Sequence, residues 1–292
     1  MKRAITLGVG VLALAGMALP SPAADLGRPV LKAPVAVPPP FTWTGCYIGG
    51  NVGWIGGNTK GVLTPAGTYL NAAGAAAPPN AAGTGLLAGD IALTTRAFSF
   101  SDDGWTGGGQ VGCNWQTGAL VLGGEADINF SGIDHSFSRT FAPIPSVSPG
   151  FTIGQETDIV NKKLEWFSTI RGRIGFAFDH FLLYATGGVV IADFKSATNV
   201  GFLPSGALPV FDTAIHAGAV SDTRAKGVVG GGVEWAFAAN WSAKVEYLYF
   251  NLGTLNYVSP LVAPAGVAAG YAWATSIKEN NNIVRVGLNY RF

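Results

Sequence analysis

The sequence predicts an all-β chain, an eight-stranded antiparallel up-and-down transmembrane β-barrel with short turns at one end and long loops at the other. Three observations point there. Charged residues are only 12% of the 292, against 48% hydrophobic residues and 42 glycines, a balance closer to lipid than to water. Yet the chain past its N-terminus has no apolar run long enough for a membrane helix, which needs about 20 residues. The best stretch, 181–192, is short and holds Gly187 and Gly188. A closed barrel satisfies every backbone N–H and C=O between strands and needs only alternate residues to be apolar. Third, the connections alternate strictly in length, as in barrels with short inner turns and long outer loops.

Taken in order, Lys2 and Arg3 precede an apolar run ending at Pro20, and Ser21-Pro22-Ala23 supplies small residues. This reads as a secretory signal over 1–23, cleaved after Ala23, with cleavage after Ala24 the second choice. Residues 24–41 carry five prolines and read as an extended periplasmic lead-in. The barrel is expected over 42–292. Its eight strands are expected at 43–55, 104–116, 119–131, 163–178, 181–195, 224–238, 241–252 and 280–292. Tight turns fall around Thr117-Gly118, Asp179-His180 and Ala239-Asn240, and long connections at 56–103, 132–162, 196–223 and 253–279.

Within the strands, alternate residues separate an apolar from a polar face. Trp105, Val111, Cys113 and Trp115 oppose Thr106, Gln110, Asn114 and Gln116 in the second strand, and Trp166, Ile170 and Ile174 oppose Glu165, Thr169, Arg171 and Arg173 in the fourth. The fifth strand is apolar on both faces, so its phase stays open. Trp43, Trp54, Trp105, Trp115, Trp166, Trp235 and Trp241 sit near strand ends on the lipid-facing phase, where an interfacial girdle would place them. Glu125, Asp127, Arg171, Arg173, Glu234, Lys244, Glu246 and Arg285 fall on the inward phase. An eight-stranded interior is only wide enough for side chains to fill, and buried charges must pair. A salt-bridge plug is therefore expected; a narrow charged pore is the alternative.

The last residues, Arg285-Val286-Gly287-Leu288-Asn289-Tyr290-Arg291-Phe292, resemble the signal that closes bacterial outer-membrane barrels, with Arg285, Gly287, Tyr290 and Phe292 in its key places. That resemblance implies recognition by the barrel-assembly machinery. The segments 43–53, 107–116, 171–175, 183–188 and 241–249 resemble strands of the small outer-membrane surface antigens, the porin-family or outer-membrane immunogenic proteins. The resemblance covers nearly every strand from 43 to 292 and implies an eight-stranded barrel related to the OmpA membrane domain. It implies no single activity, since members are described as structural envelope proteins, surface antigens, porins and haemin binders. Cys46 and Cys113 depart from the pattern, where aromatic residues are expected.

The chain is therefore expected in the outer membrane of a Gram-negative cell, exported with its signal removed. Cys46 and Cys113 lie at similar heights on adjacent strands, facing lipid. Both a cross-strand disulfide and two free thiols remain open. The glycine strings lack the strand–loop–helix setting of a phosphate-binding loop and instead let strands curve in a narrow barrel. His135, His180 and His216 are isolated and make no triad. Solvated loop histidine is the expectation, with metal or haem ligation by His135 and His216 as the alternative. No enzyme activity and no cofactor are expected, and a net charge of +1 carries no nucleic-acid signature. Lys162, Lys163, Lys195, Arg224, Lys226 and Lys278 fall at the outward strand ends. There they are expected to meet lipopolysaccharide phosphates, or else to be solvated bases paired with Asp193, Asp222 and Glu279. The expected role is structural and surface-interacting, with an unidentified extracellular partner; a small-solute porin and a haemin-type binder are the alternatives.

Overall fold

The computed structural model describes residues 41–67, 88–147, 152–203, 214–263 and 271–292. The signal segment 1–23 and residues 24–40 of the lead-in lie outside them. Eight long strands form the barrel: β1 (Gly45–Gly67), β2 (Arg96–Thr117), β3 (Leu120–Phe141), β6 (Gln155–Phe178), β7 (Phe181–Leu203), β8 (Ile215–Ala236), β9 (Trp241–Ala263) and β10 (Tyr271–Arg291). A short helix α1 (Ala88–Thr94) precedes β2, and two-residue strands β4 (Ile144–Pro145) and β5 (Thr152–Ile153) pair with each other, Ile153 joining the outermost apolar cluster of the barrel. The ring runs β1-β10-β9-β8-β7-β6-β3-β2 and closes on itself, with every neighbour antiparallel.

All three inner turns fall where the sequence placed them. Thr117 pairs with Leu120 around Gly118, whose φ is +58°, and Phe178 pairs with Phe181 around Asp179, whose φ is +53°. The outer strand ends are corrected. Each strand runs 21 to 24 residues, about twice the 9–11 that cross the hydrocarbon. Much of the expected outer loops, including 56–67, 132–141, 155–162 and 253–263, is therefore strand.

The exposed face divides the barrel at mid-height. Below, a continuous band of outward apolar side chains includes Ile48, Val52, Val111, Ile128, Ile170, Ile174, Leu183, Val233, Val245, Val286 and Leu288. A band of this extent on a barrel's outer face suits contact with lipid. Trp54 and Trp105, a cross-strand pair, close it above, and Phe178, Phe181, Trp235, Phe237, Trp241 and Tyr290 close it below. Trp43 is corrected. It is 2% exposed, capping the inner end with Phe41, Val121, Leu182 and Tyr184, its Nε1 donating to the Asp179 carbonyl at 3.2 Å. The open phase of the fifth expected strand is resolved, since Leu182, Tyr184, Thr186, Val190, Ala192 and Phe194 face inward.

Above the girdle the ring loosens along two seams. β2 and β3 pair only from Thr106↔Ser131 inward, and β8 and β9 skip from His216↔Leu261 to Val228↔Phe250. The outer half is thus two four-stranded sheets, β9-β10-β1-β2 and β3-β6-β7-β8, packed face to face. Phe98 and Phe100 of β2 stack on Phe137 of β3 across one seam, with centroids 5.9 and 5.3 Å apart. Arg224 spans the other, donating from Nη1 to the Thr254 carbonyl at 2.7 Å.

Candidate functional site

The interior is filled in layers whose order can be read along β1, β6 and β10. Just above the Trp43 cap lies a charged layer of four bases and four acids: Arg171, Arg173, Lys244 and Arg285 against Glu125, Asp127, Glu234 and Glu246, all at most 5% exposed. These are the eight residues placed inward from the sequence, and their formal charge sums to zero. Arg171 is the hub, with Nη2 at 2.5 Å from Glu125 and 2.9 Å from Asp127, and Nη1 at 3.0 Å from Glu246. Arg285 Nη2 reaches Glu246 at 2.6 Å and Asp127 at 2.9 Å. Lys244 meets Glu125 and Arg173 meets Glu234, each at 2.7 Å.

Neutral donors complete the layer. Tyr47 donates to Glu125 at 2.6 Å, Tyr184 to Glu246 at 3.0 Å, Ser242 to Glu234 at 2.6 Å and Asn289 to Glu234 at 2.9 Å. A buried carboxylate needs more than one partner to offset its lost hydration, and each of these four acids has at least two.

Next outward is an apolar layer built on Ile55, Ile133, Leu164, Phe167, Val190, Leu248, Phe250 and Ile283. Above it Lys162 is held between Asp102 at 2.5 Å and Glu279, whose other oxygen accepts from Thr59 at 2.9 Å. The outermost layer is apolar again, with Leu63, Phe98, Val160, Val200, Phe202, Trp273 and Ile277. Glu156 and Asp158 lie beside it, with Arg96 Nη2 at 2.9 Å from Glu156. Burial and then the Asp158 carboxylate push Glu156 up to about 8, against the opposing pull of Arg96.

Lys162 corrects the expected outer rim, being 2% exposed and inside the barrel. The physical reason is a β-bulge at Glu165. Leu164 pairs with Phe194 and Trp166 with Asp193, leaving Glu165 without a partner in β7. One extra residue reverses the alternation beyond it. Phe167, Thr169, Arg171 and Arg173 face inward below, whereas Leu164, Lys162, Val160 and Asp158 do so above. Glu165, expected inward, lies outside between Lys163 at 3.2 Å and Lys195 at 2.7 Å. Arg224 pairs with Asp222 at 2.7 Å, and Lys226 and Lys278 are exposed.

His216, expected as a solvated loop residue, is fully buried against Phe202 and Trp273, and burial pulls it down to about 4. His135 stacks on Phe100 at 5.1 Å, at the opposite seam, and His180 sits in its turn beside Asp179 at 2.7 Å. Cys46 and Cys113 are joined, across a registered β1–β2 pair with Cα atoms 4.0 Å apart. In the last strand Arg285 joins the charged layer. Gly287 faces inward, where a Cβ would lie 3.0 Å from Gln110 and Lys244. Tyr290 packs edge-on against Trp241, and Phe292 is 73% exposed.

This arrangement has recognisable relatives. The family model for the outer membrane protein beta-barrel domain matches residues 9–292. The 31 kDa outer-membrane immunogenic protein of Brucella melitensis is 33% identical over 273 residues, covering 92% of each chain. The 22 kDa outer membrane protein of Rhizobium leguminosarum is 28% identical over 214 residues, 70% of this chain and 72% of that one. Among solved structures, the outer membrane protease OmpT of Escherichia coli aligns with a TM-score of 0.45 at 13% identity, over 86% of this chain and 98% of that one.

Proposed function

Because the chain belongs to the outer membrane protein beta-barrel domain family and lies in the outer membrane, we propose that it acts as a closed, filled barrel with a structural and surface-interacting role. The lower half anchors it in lipid, and the upper half holds a rigid double sheet above the membrane.

One observation carries this reading. From Trp43 to Trp273 the interior alternates between packed apolar layers and ion-paired layers. A water-filled path would have to displace side chains that pair or pack at each level. The Arg171 hub alone joins Glu125, Asp127 and Glu246 from two other strands, and removing one partner of such a buried group costs about 3–5 kcal/mol. Supporting a non-catalytic role, His135 and His216 lie at opposite seams of the outer half. The reading is tested by solute uptake. Liposomes carrying the folded protein should swell in small sugars no faster than empty ones, and rapid swelling would favour the porin alternative.

A further inference from the structure

The outward face of the upper half divides its bases unevenly. On the β3-β6-β7-β8 sheet, Lys163 and Lys195 share Glu165, and Arg224 has Asp222. On the other sheet Lys60 and Lys278 are direct cross-strand partners and both point outward. Like charges directly opposite are destabilising, and no carboxylate lies within ion-pair distance of either among the described residues.

Lys226 adds a third ammonium. It crosses the open β8–β9 seam to lie over Gly253, where a Cβ would come within 3.3 Å of its Cε and 3.4 Å of its Nζ. Gly253 has φ +80° and no side chain to obstruct it, and its neighbour Thr254 is the β9 partner of Lys278. The carboxylates nearby are turned away: Glu279 and Asp102 point inward to Lys162, and the outward Asp103 pairs with Gly56, four residues below Lys60 on β1. Lys60 and Lys278 edge an open trough of about 940 Å³ that Val62, Ala97, Ser99 and Thr254 also line.

We infer that the Lys60–Lys278 pair, with Lys226 exposed at the open seam near it, is a binding site for phosphate groups on the sugars of outer-leaflet lipopolysaccharide. Height favours that source. Lys60 is six residues beyond the girdle residue Trp54 on β1, about 20 Å along the strand and about 15 Å above the girdle at a barrel strand's tilt. That level is occupied by phosphorylated sugars rather than by acyl chains. Lysine ammoniums donate to phosphate oxygens by charge-assisted hydrogen bonds. A bound phosphate would also relieve the repulsion between Lys60 and Lys278. The inference rests on the upper half standing outside the membrane and is independent of whether the barrel conducts.

The test uses the refolded mature protein in detergent, its thermal unfolding followed as purified lipopolysaccharide is added. Wild type should be stabilised, and the midpoint of the titration should rise about tenfold or more in K60Q/K278Q/K226Q, a loss in keeping with removed charge-assisted bonds. The triple variant should be at least as stable as wild type without lipopolysaccharide, because Lys60 and Lys278 repel one another. K163Q/K195Q, which removes the bases already paired to Glu165, should titrate as wild type does. Chemically dephosphorylated lipopolysaccharide, inorganic phosphate and phosphatidylglycerol should each give much less stabilisation at matched concentration. Equal response of wild type and triple variant would overturn the site. Full stabilisation by dephosphorylated lipopolysaccharide would overturn its chemistry, and by inorganic phosphate or phosphatidylglycerol its assignment to lipopolysaccharide.

Discussion

At the scale of residues, Arg171 and Glu156 show two ways of burying charge. Arg171 sits among three carboxylates at 2.5 to 3.0 Å, in a layer whose formal charges cancel. Arg171→Met keeps much of the side chain's bulk but strands those carboxylates, and should destabilise the barrel by about 3–5 kcal/mol, read as a lower denaturant midpoint after refolding in detergent. An effect within experimental error would mean the layer is hydrated. Glu156 is different, because Asp158 beside it competes for the same arginine. Its ordinary value is 4.5 and burial pushes it up to about 8. The folded chain therefore binds this proton more tightly than the unfolded chain does, and stability falls as pH rises through that interval. The slope is at most about 1.4 kcal/mol per pH unit for one proton. E156Q should flatten it and be the more stable form at pH 8; hydrogen exchange of the outer half, compared at pH 5 and 8, reads this out. An unchanged pH response in E156Q would assign the proton to another group.

At the scale of elements, the lower half of each strand was legible because one face meets lipid and the other meets charges. Apolar and polar residues then alternate visibly, as in Ile170-Arg171-Gly172-Arg173-Ile174. The same contrast exposed the charged layer and placed the two cysteines. The upper halves carry no such contrast. Their outer face is wet and their inner face mixes Thr59, Lys162 and Glu279 with Leu63 and Val160, so 56–67, with its glycines and Pro65, reads as loop. The bulge at Glu165 was illegible for a related reason. Alternation fixes phase only where both faces are distinct, and Lys162-Lys163 offers a base to either face. Deleting Glu165 should turn the bulge into plain alternation, with Trp166 and Lys163 outward and Leu164 and Lys162 still inward, Lys162 on Asp102 and Glu279. In that background a cysteine at Leu164, fully buried in the native chain, should stay protected from a bulky polar maleimide, and a cysteine at Lys163 should react. Labelling at Leu164 instead would show that the outer half of β6 has flipped and that Glu165 is not the extra residue.

At the scale of the whole molecule, strand length and interior filling belong together. Strands of 21 to 24 residues project far beyond the hydrocarbon, and a narrow ring of that height would leave a long, poorly hydrated lumen. The chain instead flattens its outer half into two sheets that close on Phe98, Phe202, Trp273 and their neighbours, and seals the inner end with Trp43. Between these ends the charged layer fixes the lower strands to one another from within. The most direct test is single-channel recording of the refolded wild-type protein in planar bilayers. The filled barrel predicts no discrete current steps above the baseline of protein-free membranes, at moderate voltage and salt. Stable, ohmic steps that scale with salt concentration would show a continuous water path and contradict the account.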